Sequence, residues 1–353
     1  MIRGGEVNID RGAIGKLLVI KLRAVGDVIL STATLPNLRA AFPGATIDFL
    51  VERSCRDVIE GNEQIDNLIV FSKTRANGAM ILLDLRRAKY DMVIDLFGNP
   101  RSALMTFASR ARYRVGYDFR GRSYAYNILV KPRGAEVHNV EFNLDALRRI
   151  GVSVTTKSPY FPLAEADREF AGREAGKLGL TGRLAIGINP GTNRPAERWP
   201  AERFAELGAL LAGRFDARVC VFWGPGEKPL ADAIAGRIGE AAVVAPPTNL
   251  KQLGAMFERC SLVVSNDSGP MHIAAALGVP TVGIFGPVNP LLQGPWGEKA
   301  RYARKEELSC LGCNYDKTCP IGNPCMTELE AEKVYHVVEE LIDRCGLGKR
   351  VVR

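Results

Sequence analysis

The residues best suited to do chemistry cluster in four short stretches. In Asn266-Asp267-Ser268-Gly269-Pro270-Met271-His272, turn residues, a helix cap and a proline fit for a first helical turn follow the β-branched run LVVS (262–265). A helix starting just past the carboxyl end of a buried parallel strand offers free N–H groups to a phosphate. His272, one turn in, could donate to a phosphate oxygen or sit as a satisfied side chain. Asp267 suits hydroxyls, a cation or a cap. In Gly26-Asp27, after the run KLLVIKL (16–22), one glycine permits close backbone approach. The carboxylate would repel a pyrophosphate, so Asp27 suits a general base, a hydroxyl-binding group or an N-cap.

Two further stretches could serve a nucleotide site. NPGTNRPAERWP (189–200) supplies donors from Gly191, Thr192 and Asn193 and positive charge from Arg194 and Arg198; the alternative is a polar loop anchored by Trp199. In FWGPGEK (222–228), Glu227 is placed to take ribose hydroxyls or to stabilise a first helical turn. Cys310, Cys313, Cys319 and Cys325 form a C-x2-C-x5-C-x5-C series that could hold zinc, although only one C-x-x-C knuckle is present. Reduced or reversibly oxidised thiols are the expectation and no metal is assigned; with no histidine nearby in sequence, a catalytic cysteine is not expected. Neither βα turn carries G-x-G-x-x-G, which argues against a dehydrogenase.

These loops need strands and helices to position them. Apolar runs at 16–22, 46–51, 67–71, 92–97 and 113–117 alternate with helical segments, including one helix over 28–41 kinked at Pro36 and another over 138–150. A second alternating series runs through 184–190, 218–224, 242–246, 262–265 and 281–285. Strands alternating with helices predict parallel sheets covered on both faces. The aperiodic stretch 151–163 marks the boundary between domains 1–160 and 161–353. The last helix, 327–344, is amphipathic and is expected to pack back across the first domain.

The chain has 353 residues, 46% hydrophobic and 24% charged, room for two globular domains. No apolar run approaches the roughly 20 residues that span a bilayer. The opening residues lack an apolar signal core, so a cytoplasmic location is expected. The net charge of +8 is uneven: residues 86–133 hold 11 basic and 3 acidic side chains. That suggests a polyanionic partner, whether nucleic acid, an anionic membrane surface or a phosphorylated substrate, or else a solvated basic surface.

Taken together in order, KLRAVGDVILSTATLPNLRAAFPGATIDFLVE (21–52), DLFGNPRSALMTFASRARYRVGYDFRGR (95–122), NPGTNRPAERWPAERFAEL (189–207), VFWGPGEK (221–228) and SNDSGPMHIAAALGVPTVGIFGPVNP (265–290) resemble glycosyltransferase family 9, the ADP-heptose:lipopolysaccharide heptosyltransferases. The tail CLGCNYDKTCPIGNPCM (310–326) resembles that of the heptosyltransferase II-like branch. The resemblance implies a GT-B α/β architecture, two Rossmann-like domains with parallel sheets facing across a cleft, the acceptor on the first and the nucleotide sugar on the second. It implies an inverting transfer of heptose from ADP-heptose to the Kdo/heptose inner core of lipopolysaccharide, without cofactor or metal. Asp27 matches the family's catalytic base. Gly26, Thr192, Asn193, Arg194, Arg198, Asp267, Ser268, Gly269 and His272 match the donor side, with Glu227 at the ribose and Thr248 at the adenine.

One position departs from the family pattern: Glu197 stands where lysine is usual, so Arg198 or Arg194 is expected to face the diphosphate. Arg101, Arg120 and Arg122 are expected to meet a lipid A–Kdo acceptor, with the protein peripheral at the inner face of the inner membrane and no nucleic acid bound. Two other readings stay open. One is a family 9 transferase with another donor or acceptor; the other is a non-catalytic protein that binds nucleotide sugars or polyanions.

Overall fold

In the computed structural model the described residues are 9–72, 74–134, 136–313 and 319–348, the side chains of 75–77 excepted. The chain divides into two compact units, Met1–Pro162 and Leu163–Arg353. Each is built on a six-stranded, all-parallel sheet.

In the first unit the strands are β1 (Lys16–Ile20), β2 (Thr46–Glu52), β3 (Asn67–Phe71), β4 (Met92–Asp95), β5 (Tyr113–Tyr117) and β6 (Ile128–Val130). In the second they are β7 (Ala185–Asn189), β8 (Arg218–Val221), β9 (Ala242–Val244), β10 (Leu262–Asn266), β11 (Thr281–Phe285) and β12 (Ala300–Arg304). The spatial orders are β3-β2-β1-β4-β5-β6 and β12-β11-β10-β7-β8-β9. Counted within each unit, both follow the 3-2-1-4-5-6 order of a Rossmann sheet. The order reverses between β1 and β4 and again between β7 and β10. In such sheets the crevice outside the carboxyl ends at the reversal is where ligands bind.

The central strands are buried from end to end because helices cover both faces, which is why they read as apolar runs without alternation. Leu18, Ile20 and Val93 share one core with Leu85 and Met105 from flanking helices. Ile186, Ile188, Val264 and Ile284 share another with Phe204 and Leu211. Two edge strands, β6 and β12, lie outside the runs the sequence marked. β6 has only three residues, and β12 (ARYAR) carries its arginines into the strand, so neither shows a hydrophobic run.

Two elements differ from the sequence expectation. The helix over 28–41 is two helices, Val25–Ser31 and Leu35–Ala41, joined by a 3-10 turn, Thr32–Thr34. The hydroxyls of Ser31, Thr32 and Thr34 bond back to the carbonyls of Val28, Ile29 and Ser31 at 2.7, 2.6 and 2.7 Å. Pro36, which lacks an N–H and collides with the preceding turn, falls in the first turn of the second helix, where no N–H is needed. The last helix runs Ala331–Cys345 where 327–344 was expected. Val334, Tyr335, Val338, Leu341 and Ile342 are buried in the core of the C-terminal unit. Among the described residues no helix is long and apolar enough to cross a membrane.

Candidate active site

In the N-terminal unit the candidate residues gather at the carboxyl edge of the sheet. The chain leaves β1 through Lys21–Ala24 and enters the helix Val25–Ser31, whose third residue is Asp27. Asp27 is therefore not the N-cap. Its Oδ2 accepts the Ala24 N–H at 3.3 Å, and its Oδ1 accepts the Asn139 side-chain amide at 2.7 Å. Asn139 is the first residue of the helix Asn139–Arg149, which packs against the Asp27 helix. One turn on, the Asn143 amide donates to the Asn139 carbonyl at 2.8 Å, while Asn143 Oδ1 accepts from Lys21 Nζ at 3.4 Å. Lys21, only 4% exposed, also donates to the Leu96 carbonyl at 3.1 Å.

This chain of bonds has a fixed sense. An ammonium only donates, so it must face the Asn143 oxygen, which turns the Asn143 amide nitrogen toward the Asn139 backbone carbonyl; a carboxylate only accepts, so the Asn139 amide nitrogen, not its oxygen, meets Asp27. Burial holds the Lys21 ammonium below the ordinary lysine range, opposed by the charges of Asp27 and Asp95.

Asp95 ends β4, paired in register with Ile20. Its Oδ1 accepts the Phe97 and Gly98 N–H groups, each at 2.9 Å, and its Oδ2 accepts the Tyr126 hydroxyl at 2.7 Å. Burial drives this carboxyl upward, opposed by the Gly98 N–H and the hydroxyls of Ser102 and Tyr126. Tyr126 reaches it because Gly116 leaves room: a Cβ there would sit 2.3 Å from the ring. Of the three arginines singled out, Arg101 lies 3.6 Å from Glu52 at the end of β2 and stacks over Phe71. Arg122 donates to the Gly98 carbonyl at 2.9 Å, and Arg120 is exposed. Lys21, Asp95, Asn139 and Asn143 were not singled out from the sequence. A lysine closing an apolar run, and two asparagines four apart on one helix, are the signals that could have found them.

In the C-terminal unit the loops after β7 and β10 lie side by side at the reversal point and are tied together. Asn189 donates to Ser265 and Ser268 at 3.1 and 3.4 Å. Asn266 donates to the Pro190 carbonyl at 2.7 Å and accepts the Trp199 N–H at 3.2 Å. Thr192 Oγ1 donates to the Asp267 carbonyl at 3.3 Å. Ser268, not Asp267, is the N-cap of the helix Gly269–Ala276, and His272 is buried in that helix.

Glu227 is the N-cap residue of the helix Lys228–Ile238, and its Oε2 accepts the Gly224 N–H at 2.9 Å. It lies directly over Gly191, where a Cβ would fall 2.1 Å from Oε2. The structure therefore brings Gly191, Thr192, Glu227, Asp267 and Ser268 into one frame. Asn193 is exposed in the same loop. Thr248 is half-buried in the loop after β9, with no direct bond to this frame among those described.

The departure at Glu197 has a structural answer. Its carboxylate, 5% exposed, pairs with Arg194 at 2.8 Å, so Arg194 is committed to it. Arg198 is exposed and donates to the Thr192 carbonyl at 3.0 Å.

Cys310, Cys313, Cys319 and Cys325 line one cavity of ≈ 120 Å³. Burial first, then the sulfurs of Cys313, Cys310 and Cys319, push the Cys325 thiol up to about 11. All eight cysteines are free, and among the described residues no group of three or more His, Cys, Asp or Glu is placed to hold a metal.

Two Rossmann-like units in one chain, each with its candidate loops at the reversal point of its sheet, are the architecture of the GT-B class. The chain belongs to glycosyltransferase family 9 (heptosyltransferase), whose model matches residues 81–323. It is 26% identical over 294 residues to lipopolysaccharide heptosyltransferase 3 of Escherichia coli, covering 78% of this chain and 84% of that one. Lipopolysaccharide heptosyltransferase 2 of E. coli K12 is 27% identical over 311 residues, 82% of this chain and 88% of that one. Among solved structures, the family 9 glycosyl transferase of Veillonella parvula DSM 2008 superposes with a TM-score of 0.81 at 28% identity, covering 94% of this chain and 97% of that one. E. coli ADP-heptose lps heptosyltransferase II does so with a TM-score of 0.73 at 23% identity, covering 94% and 99%.

Proposed function

We propose that this glycosyltransferase moves heptose from ADP-heptose to the Kdo/heptose inner core of lipopolysaccharide, inverting the anomeric centre. The C-terminal unit holds the donor and the N-terminal unit the acceptor. Asp27 takes the proton of an acceptor hydroxyl as that oxygen attacks the sugar C1. The bond from C1 to the diphosphate oxygen breaks on the opposite face, and ADP leaves with the electron pair. The leaving diphosphate is met by Thr192, Asn193, the N–H groups at Ser268-Gly269, His272 and Arg198, fixed donors of the kind that stabilise developing charge. Glu227 takes the ribose hydroxyls, Thr248 borders the adenine and Asp267 meets the heptose hydroxyls. Arg101, Arg120 and Arg122 bind the anionic groups of a lipid A–Kdo acceptor at the cytoplasmic face of the inner membrane.

The observation that carries this reading is the joining of the β7 and β10 loops, with Glu227 beside them, at the reversal point of one Rossmann sheet. The family and its relatives support heptose as the transferred sugar. Incubating the full chain with ADP-heptose and a Kdo-terminated or heptose-terminated core oligosaccharide should yield the extended core by mass spectrometry. No transfer to either acceptor would sink the reading. Asp27→Ala should bind ADP within about twofold of wild type and lose transfer by roughly 100-fold or more; undiminished turnover would remove Asp27 from the chemistry.

A further inference from the structure

Among the described residues nine large apolar side chains are exposed, and five of them crowd one region of the N-terminal unit. Met80 and Leu83 are 59% and 54% exposed on the helix Arg75–Arg87. Leu104 and Phe107 are 45% and 50% exposed on the helix Pro100–Ser109, which packs beside it. Tyr124, 52% exposed, meets Phe107 edge-on with ring centroids 5.7 Å apart. Each helical pair is spaced i, i+3, so it forms a stripe along one face. The opposite faces are committed to cores through Ile81, Leu85 and Met105. The stripes are therefore a second apolar face on well-packed helices, and such faces mark interaction surfaces.

The charges around this face are mostly positive. On the helix Pro100–Ser109 the exposed stripe runs Arg101, Leu104, Phe107 and on to Arg110 at its end. Arg86, Arg87 and Arg120 are exposed nearby in sequence. Of the three acidic residues between 86 and 133, Asp95 is buried and Asp91 accepts the N–H groups of Gly15 and Lys16, each at 2.9 Å. That leaves Asp118, together with Asp84 on the first helix, as the exposed carboxylates among many arginines.

We propose that this face docks the protein on an anionic lipid bilayer, with Leu104, Phe107, Met80 and Leu83 entering the headgroup boundary and the arginines on lipid phosphates. Basic residues rimming an inserted apolar stripe are the recognised chemistry of interfacial binding, and arginine stems can lie along the apolar surface while their heads reach phosphate. A second copy of the chain fits poorly, because a two-fold contact would set arginine against arginine. Nucleic acid offers nothing to Met80 or Leu83. The inference rests on the proposed reaction only in that its acceptor is membrane-borne. Arg101, paired to Glu52, joins this face to the sheet edge that holds Asp27.

The test separates the two claims. Full-length protein is sedimented with vesicles of phosphatidylcholine alone or with about 30% phosphatidylglycerol, no donor or acceptor being present. Wild type should bind the anionic vesicles, and added salt should weaken the binding. Leu104→Ser/Phe107→Ser should lose at least about tenfold in partitioning. Its melting temperature and its transfer to a deacylated, soluble acceptor should stay those of wild type. Arg86→Glu/Arg87→Glu, on the other helix, should weaken binding independently. Wild type that ignores anionic vesicles, or variants that bind like wild type, would overturn the proposal. So would a solution dimer dissolved by the same substitutions, which would assign the face to a second copy. Transfer to the soluble acceptor, measured alongside, reports on the reaction whichever way the vesicles behave.

Discussion

Gly191→Ala probes how closely the donor loop is built around Glu227. A Cβ at 191 would lie 2.1 Å from Glu227 Oε2, 2.6 Å from Cδ and 2.7 Å from Oε1. Non-bonded heavy atoms settle near 3.5 Å, so the carboxylate must retreat by about 1.4 Å or the β7 loop must move. The loop is held by Asn189, Asn266 and Thr192, and the carboxylate by a 2.9 Å bond from the Gly224 N–H, so the side chain is the part that yields. A charge-assisted hydrogen bond is worth about 1.5–3 kcal/mol, and losing one to the ribose would weaken ADP roughly 10- to 150-fold. Isothermal titration with ADP and with 2′,3′-dideoxy-ADP reads this directly. The substitution should weaken ADP by that factor and leave the dideoxy analogue, already weak, unchanged. ADP binding within about twofold of wild type, with the melt unchanged or lowered, would refute the placing of Glu227 against the ribose.

Two further outcomes follow from the N-terminal unit. Asn139→Ala removes the 2.7 Å donor to Asp27 Oδ1 and should lower kcat by about 10- to 100-fold with KM nearly unchanged, since a misplaced base costs rate more than binding; steady-state kinetics with unaltered kcat would show that Asp27 needs no such support. Burial, eased by the Ser54 hydroxyl and reinforced by Glu52 and Asp27, raises the Cys55 thiol from 9.0 to about 11. A pKa raised by folding gives stability that is fully present below about pH 9 and is lost as the pH climbs to about 11, here at most about 3 kcal/mol. Urea unfolding at pH 8 and pH 10.5 should therefore show a larger loss in wild type than in Cys55→Ala, and equal losses would refute it.

Much of the site was legible because its chemistry sits in contiguous stretches. NPGTN, WGPGE and NDSGP each follow an apolar run and open toward a helix, so residue type and position together identify a loop at a strand end. The paired βα series gave the fold class for the same reason: buried parallel strands read as uninterrupted apolar runs. Local signals failed where the partner is distant. Lys21 and Asn139 earn their place through Asp27, and Asn139 lies 112 residues from it in sequence. The last helix was legible as amphipathic, but a stripe of Val334, Tyr335 and Val338 does not say which surface it covers.

The sequence by itself determined the class of protein through the ordered motifs that resemble glycosyltransferase family 9, and it marked a carboxylate after one strand and polar loops after others because these depend on residue type and local turn geometry. Tertiary structure alone decided which loops are neighbours. Strand order brings β7 beside β10 and β1 beside β4 across more than 70 residues of chain, and periodicity carries no information about order. It also decided that Glu197 neutralises Arg194 in place of supplying a cation, since whether a buried charge helps or hinders a site depends on which partner packing sets beside it.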